Sequence, residues 1–242
     1  MQYNSCKKWG VFLTKTLKYG FLLLFAVLVL WGCWSLLHPE GGQSTPQRPA
    51  RGLGTFQQPT EKDSDTFLVV LDPGHGGKDP GAMVGEAMEK DITLAVALLV
   101  QEQLEGEGIS VIMTRKEDVY PNLTERADLA NQNEADLYIS IHVNALENND
   151  SYAGIYTFYH PDKPSDKALA KAIQAAVTSA SGGIDRGVES EDYAVLRNTE
   201  MSAVLIETGF MSCPEELNKL QDAEYQKLLA QGIAQGILDY FF

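Results

Sequence analysis

The sequence predicts an α/β fold: a single domain with a mostly parallel sheet covered by helices on both faces, preceded by one N-terminal transmembrane helix. Three observations lead there. From Phe67 onward, short apolar runs alternate with amphipathic segments of helical period. Several of those apolar runs are continuous, as in strands buried on both faces. Finally, Gly20–Leu37, "GFLLLFAVLVLWGCWSLL", carries no charged side chain.

In chain order, residues 1–18 form a basic segment with Lys7, Lys8, Lys15 and Lys18 and no acid. Residues 19–37 are the predicted membrane span. Eighteen residues from Gly20 rise about 27 Å as a helix, close to a hydrocarbon core of roughly 30 Å. The lysines before it place the N-terminus in the cytoplasm, so the expected location is the cell membrane, single-pass, with the domain extracytoplasmic. Secretion after signal cleavage is the alternative. A signal peptide, however, has a shorter apolar core and a small-residue cleavage site, and this run ends "SLLHPEGG". Lipid attachment at Cys33 is a third reading, disfavoured by the tryptophans around it. Residues 38–65 hold four prolines, four glycines and scattered polar residues, the composition of a flexible linker. Residues 66–242 make the domain.

Within the domain, "FLVVL" (67–71) reads as a short strand and "EKDITLAVALLVQEQLEGEG" (89–108) as a helix with Ile92, Val96, Leu99 and Leu104 on one broad face. A strand at 109–114 and an amphipathic helix at 122–135 follow. "DLYISIHV" (136–143) is a buried strand and "GIYTFYH" (154–160) an alternating one. Residues 165–180 read as a helix capped by Ser165, and "SAVLIETGF" (202–210) as a last apolar strand. The tail repeats apolar residues at Tyr225, Leu228, Leu229, Ile233, Ile237 and Tyr240, a helical spacing.

Charge and cysteine content exclude some functions. Beyond residue 38 the chain holds 15 basic and 33 acidic side chains, net −18. So acidic a domain repels a phosphate backbone, which argues against nucleic acid as a partner. Cys6 and Cys33 lie in or beside the span, leaving Cys213 alone in the domain. Neither a disulfide framework nor a C-x-x-C metal knuckle can be built, so a metal would need His and carboxylate ligands.

Such ligands sit at strand ends, where ligands bind in open α/β sheets. His75 lies in the glycine-rich turn "LDPGHGGKDPGA" after the first strand, His142 ends the strand 136–143, and Glu207 ends the strand begun at Ser202. Glu89 opens the first long helix. Two imidazoles and a carboxylate would leave a fourth position for water, as in hydrolytic zinc sites. Structural readings stand beside these: a turn residue for His75, a hydrogen-bonded core histidine for His142, a favourable helix N-terminal charge for Glu89. Glu207 is harder to read so, because a carboxylate directly after "AVLI" is costly to bury unless paired or metal-coupled. His38 and His160 read as solvated residues. Asn144, just past His142, is either a turn residue or a group that orients ligand or substrate.

The segments "LDPGHGGKDPGA", "EKDITL", "VIMTR", "LTERADLAN", "ADLYISIHVNA", "RGV" and "YAVLRNTEMSAVLIETGFMS" occur in order between about Phe67 and Tyr240. In these the chain resembles the zinc-dependent N-acetylmuramoyl-L-alanine amidases of the amidase-3 type. The resemblance implies a catalytic domain in which His75, Glu89 and His142 bind Zn2+ and Glu207 is the catalytic acid/base. It implies hydrolysis of the amide between the lactyl group of N-acetylmuramic acid and the L-alanine of the peptidoglycan stem peptide. Peptidoglycan is then the partner; the predicted N-terminal span adds the membrane, and a protein activator or targeting partner is left open. Arg115 and Arg126 fit ion pairs with domain carboxylates, or the reception of acidic stem peptides. The layout of anchor, linker and domain is similar to that of spore-cortex amidases and also of general wall-remodelling ones. Ser202 stands where the family commonly has proline, and Cys213 where asparagine is common. The alternatives are a zinc peptidase cutting within the stem peptide, or a non-catalytic, membrane-anchored wall-binding or activator protein.

Overall fold

The structure, a computed structural model, describes residues 67–241. The expected basic segment, span and linker lie outside the described residues; among those described, no helix is long and apolar enough to cross a membrane.

The elements run β1 (Leu68–Pro73), β2 (Met83–Val84), β3 (Ala87–Met88), α1 (Glu89–Gly106), β4 (Ser110–Met113), α2 (Leu123–Gln132), β5 (Leu137–Asn144) and β6 (Ile155–Tyr159). Then follow α3 (Lys167–Ser181), β7 (Asp185–Ser190), α4 (Ala194–Asn198), β8 (Ser202–Phe210), α5 (Pro214–Leu220) and α6 (Ala223–Phe241). Six strands form the main sheet in the order β4-β1-β5-β8-β6-β7, while β2 and β3 make a separate hairpin. Strands β4, β1, β5 and β8 are mutually parallel; β6 runs antiparallel to β8 and parallel to β7. The mostly parallel sheet read from the continuous apolar runs is therefore present, with its direction reversed at one end.

Burial on both faces explains the apolar runs. Along β1, Val69 and Leu71 enter one core and Leu68 and Val70 the other, as the two-residue period of a strand requires. The first core packs under the three long helices, through Val96 and Val100 of α1, Ile173 of α3 and Ile233 of α6. Glycines let α6 lie directly on α3: a Cβ at Gly236 would fall 2.4 Å from the Cα of Ile173. The second core sits under the shorter α2 and α4, through Ala130, Val195 and Leu196. Helices thus cover both faces, unequally.

One local expectation differs from the structure. Ser165 does not cap α3; the chain enters through a 3-10 turn at Pro164–Asp166, and the Asp166 carboxylate instead accepts the Ala203 N–H at 3.0 Å. Helix α2 does begin with a full capping box, in which Asn122 accepts the N–H groups of Thr124 and Glu125 while Glu125 accepts that of Asn122.

The same two-residue period positions the site. Asp72 pairs with Ser140, and His142 with Glu207, which in turn pairs with Tyr156. Paired residues share a face. All of these side chains therefore stand on the face under α2 and α4, at the carboxyl edge of the parallel strands.

Candidate metal centre

The glycine-rich turn after β1 is shaped by its glycines and by two arginines. A Cβ at Gly74 would meet the His142 ring at 2.3 Å, and one at Gly81 would lie 2.5 Å from Glu89 Oε2. Any larger residue would force these side chains to move. His75 itself has a left-handed backbone, φ 61°, which costs a non-glycine residue about 1–3 kcal/mol unless its surroundings impose it. Arg126 helps impose it. Its guanidinium donates to His75 O at 2.6 Å, to Pro73 O at 2.9 Å and to the Asp72 carboxylate at 2.6 Å. Arg115 holds the other side, donating to Pro73 O at 3.0 Å and to Gly74 O at 2.8 Å. Both arginines are 3% exposed. They clamp the turn, and Arg126 forms an ion pair with Asp72; of the two readings of these residues, this is the structural one.

Asp72 is the buried counter-charge. It accepts from Arg126, Thr114, Tyr138 and Ser140. Burial pushes its carboxyl up, but Arg126 and these hydrogen bonds outweigh that and hold it well below the usual carboxylate range.

His75, Glu89 and His142 come together as a group that could hold a metal ion, each offering one ligand atom within 4.8 Å of the others. Glu89 lies between the imidazoles, with Oε2 3.1 Å from His75 Nε2 and Oε1 2.9 Å from His142 Nδ1. The N–H groups of Ala82 and Val143 donate to the same carboxylate at 2.9 and 3.0 Å. Burial opposes ionisation of Glu89, yet the bonds and charges of His142 and His75 keep its carboxyl well below the usual range. For His75, burial works downward, while Glu89 and Asp79 win and raise the imidazole to about 8.

Asp79 is a site residue that the sequence reading misses. Its carboxylate lies 2.9 Å from His75 Nδ1 and also accepts the Gly81 N–H at 3.1 Å. This leaves Nε2 of His75 facing Glu89, the arrangement in which a carboxylate orients a metal-binding histidine. The available signal was a carboxylate four residues after His75 within the same turn.

Glu207 stands beside this group and differs from it. It is 8% exposed, and among the described residues its Oε2 is a buried side-chain oxygen with no hydrogen-bond partner. Burial raises its carboxyl to about 7; His142 partly offsets this and Glu89 adds to it. Glu207, His75 and His142 line one cavity of about 260 Å³ with Tyr120, Leu123 and Tyr193. Asn144 lies at the end of β5, where its side chain accepts the N–H of Ala145 at 2.8 Å. His160, expected to be solvated, is 4% exposed and bonded to Asp192 at 2.9 Å. It ties down the segment that carries Tyr193 to the cavity.

An α/β sheet with a His–Glu–His group at its carboxyl edge, an unpartnered carboxylate beside it and an open cavity has the build of a hydrolase. Comparison with known proteins makes the family explicit. The Amidase_3 family model, N-acetylmuramoyl-L-alanine amidase, matches residues 69–239, and the chain belongs to that family. It is 38% identical over 175 residues to the uncharacterized protein YqiI of Bacillus subtilis, covering 72% of this chain and 84% of that one. It is 38% identical over 176 residues to the probable cell wall amidase LytH of Staphylococcus aureus, covering 72% of this chain and 58% of LytH. Among solved structures, an N-acetylmuramoyl-L-alanine amidase from Clostridium difficile 630 superposes with a TM-score of 0.71 at 39% identity, covering 73% of this chain and 97% of that one. The CwlD amidase of Clostridioides difficile, solved in complex with the GerS lipoprotein, superposes with a TM-score of 0.69 at 35% identity, covering 72% and 98%.

Proposed function

We propose that this chain is a zinc-dependent amidase that hydrolyses the bond between the lactyl carboxyl of N-acetylmuramic acid and the L-alanine of the peptidoglycan stem peptide. The observation that carries the reading is the unpartnered Glu207 carboxylate oxygen in a cavity shared with His75 and His142. The donor set of His75, Glu89 and His142 suits zinc, which takes imidazole nitrogen and carboxylate oxygen and in catalytic sites keeps one position open. Zinc would supply Lewis-acid polarisation of the scissile carbonyl and an activated water at neutral pH.

The chain's own residues do the rest. Asp79 fixes His75 through Nδ1 and leaves Nε2 to the metal. Glu89 stays ionised at neutral pH, as a ligand must. Glu207, raised to about 7, accepts a proton from the attacking water and returns it to the departing alanine nitrogen. The apolar run 19–37 would hold the enzyme at the membrane with its domain outside. The linker 38–65, at about 3.3 Å per extended residue, would let it reach roughly 90 Å into the wall. Wall remodelling or spore-cortex maturation is the setting, and the similarity to a CwlD amidase solved with a lipoprotein supports a protein partner here too.

The test separates the two roles. Glu207→Ala should retain zinc and lose turnover by roughly 10²- to 10⁴-fold, whereas His75→Ala should lose zinc. Unchanged hydrolysis of peptidoglycan by Glu207→Ala would overturn the acid/base assignment.

A further inference from the structure

The strand row that carries His142 and Glu207 continues onto β6, where Tyr156 pairs directly with Glu207. Beyond Glu207, away from the His–Glu–His group, that face is therefore aromatic. Tyr156 stacks on Phe158 with centroids 5.6 Å apart, and its hydroxyl lies 2.6 Å from that of Tyr152. Arg186 of β7 closes the shelf. Its guanidinium carbon is 4.3 Å from the Tyr152 ring centroid, and its Nε donates to Ala153 O at 2.6 Å. Gly154 leaves room for this, since a Cβ there would fall 2.7 Å from Arg186 Cγ.

The stack and the Nε bond fix the guanidinium plane while its two terminal nitrogens stay available. Arg186 is half-buried, and no ion pair joins it to a carboxylate among the described residues. Arg115 and Arg126 are already committed to the turn after β1. An arginine held in this way presents a planar donor fork that matches a carboxylate.

The chemistry gives the shelf a direction. Glu207 returns its proton to the leaving nitrogen, so the peptide attached to that nitrogen lies on the Glu207 side of the metal group. Two strand spacings, about 10 Å, separate β8 from β7, the reach of a second peptide residue with its side chain. Resting on the amidase reading above, we infer that Tyr156, Tyr152 and Arg186 form the subsite for the leaving peptide, and that Arg186 selects a free carboxylate on its second residue. Arg186 is then a specificity-determining residue.

The test uses the full chain in detergent with zinc and two soluble muramoyl tripeptides. One has glutamate as its second residue; in the other that free carboxylate is amidated. Wild type should prefer the carboxylate substrate by about tenfold in kcat/KM, mainly through KM, the scale of one charge-assisted hydrogen bond. Arg186→Gln should lose that factor on the carboxylate substrate alone, so that its preference falls to about one. Equal losses on both substrates would assign Arg186 to holding the Ala153 loop and overturn the proposal, as would a preference retained in the variant. Wild type cutting both peptides equally would sink this subsite only. Wild type cutting neither would sink the amidase reading, and the subsite with it.

Discussion

Burial of the Glu207 carboxyl costs folding stability, and the cost can be measured. The carboxyl is raised from the 4.5 of an ordinary glutamate to about 7, chiefly by burial. Below about pH 4 the group is protonated in both the folded and the unfolded chain and costs nothing. As pH rises from about 4.5 to 7, the unfolded chain gives up this proton while the folded chain keeps it, so stability falls; above 7 the whole cost is present. At about 1.4 kcal/mol per pH unit, the cost is about 3 kcal/mol. Glu207→Gln keeps the shape and removes the charge. The metal-free variant should therefore match wild type near pH 4 and exceed it by up to about 3 kcal/mol near pH 8. Urea unfolding in chelator, followed by far-ultraviolet circular dichroism, reads this; all three tryptophans precede residue 39 and do not report on the domain. A variant no more stable than wild type at pH 8, or one whose advantage does not grow with pH, would show that the Glu207 charge is compensated in solution and refute the reasoning.

Two further perturbations probe the frame around the site. Gly74→Ala would set a methyl 2.3 Å from the His142 ring, so the imidazole must move; zinc affinity, measured by chelator competition, should fall about 10- to 100-fold with the circular dichroism spectrum unchanged. Arg126→Met would leave Asp72 buried without its counter-ion, a loss of about 3–5 kcal/mol at neutral pH. Because Asp72 is held below its ordinary range, that contribution is present above about pH 4 and is lost as pH falls further, so the deficit should shrink in acid.

Much of this arrangement is legible in the sequence, for identifiable reasons. Buried strands such as Leu137–Asn144 and Ser202–Phe210 announce themselves by continuous apolar runs, and α1 by apolar residues recurring at the helical period from Ile92 to Leu104. His75 just past β1 and Glu89 at the start of α1 stand where the sequence puts them, whereas His142 and Glu207, read as strand ends, lie inside strands that run on to Asn144 and Phe210. β7 is not legible, because "DRGVES" is a half-exposed edge with a single large apolar residue, Val188. Nor is the reversal of β6, which depends on which edge of the sheet is free. The second layer is hidden for another reason. Arg126 reaches His75 O across 51 residues of chain, and Arg115 reaches Gly74 O across 41. Such side-chain to backbone bonds leave no periodic trace. His160 misleads because a histidine beside Pro161 reads as solvated, whereas this loop residue is buried and bonded to Asp192.

The most direct test of the account is to give peptidoglycan to the purified chain, stripped of metal, with and without added zinc, and to identify the products by mass spectrometry. The expected result is zinc-dependent release of stem peptides with free L-alanine amino termini. New termini inside the stem peptide would identify a peptidase instead, and zinc-bound protein that cuts nothing would contradict the amidase assignment.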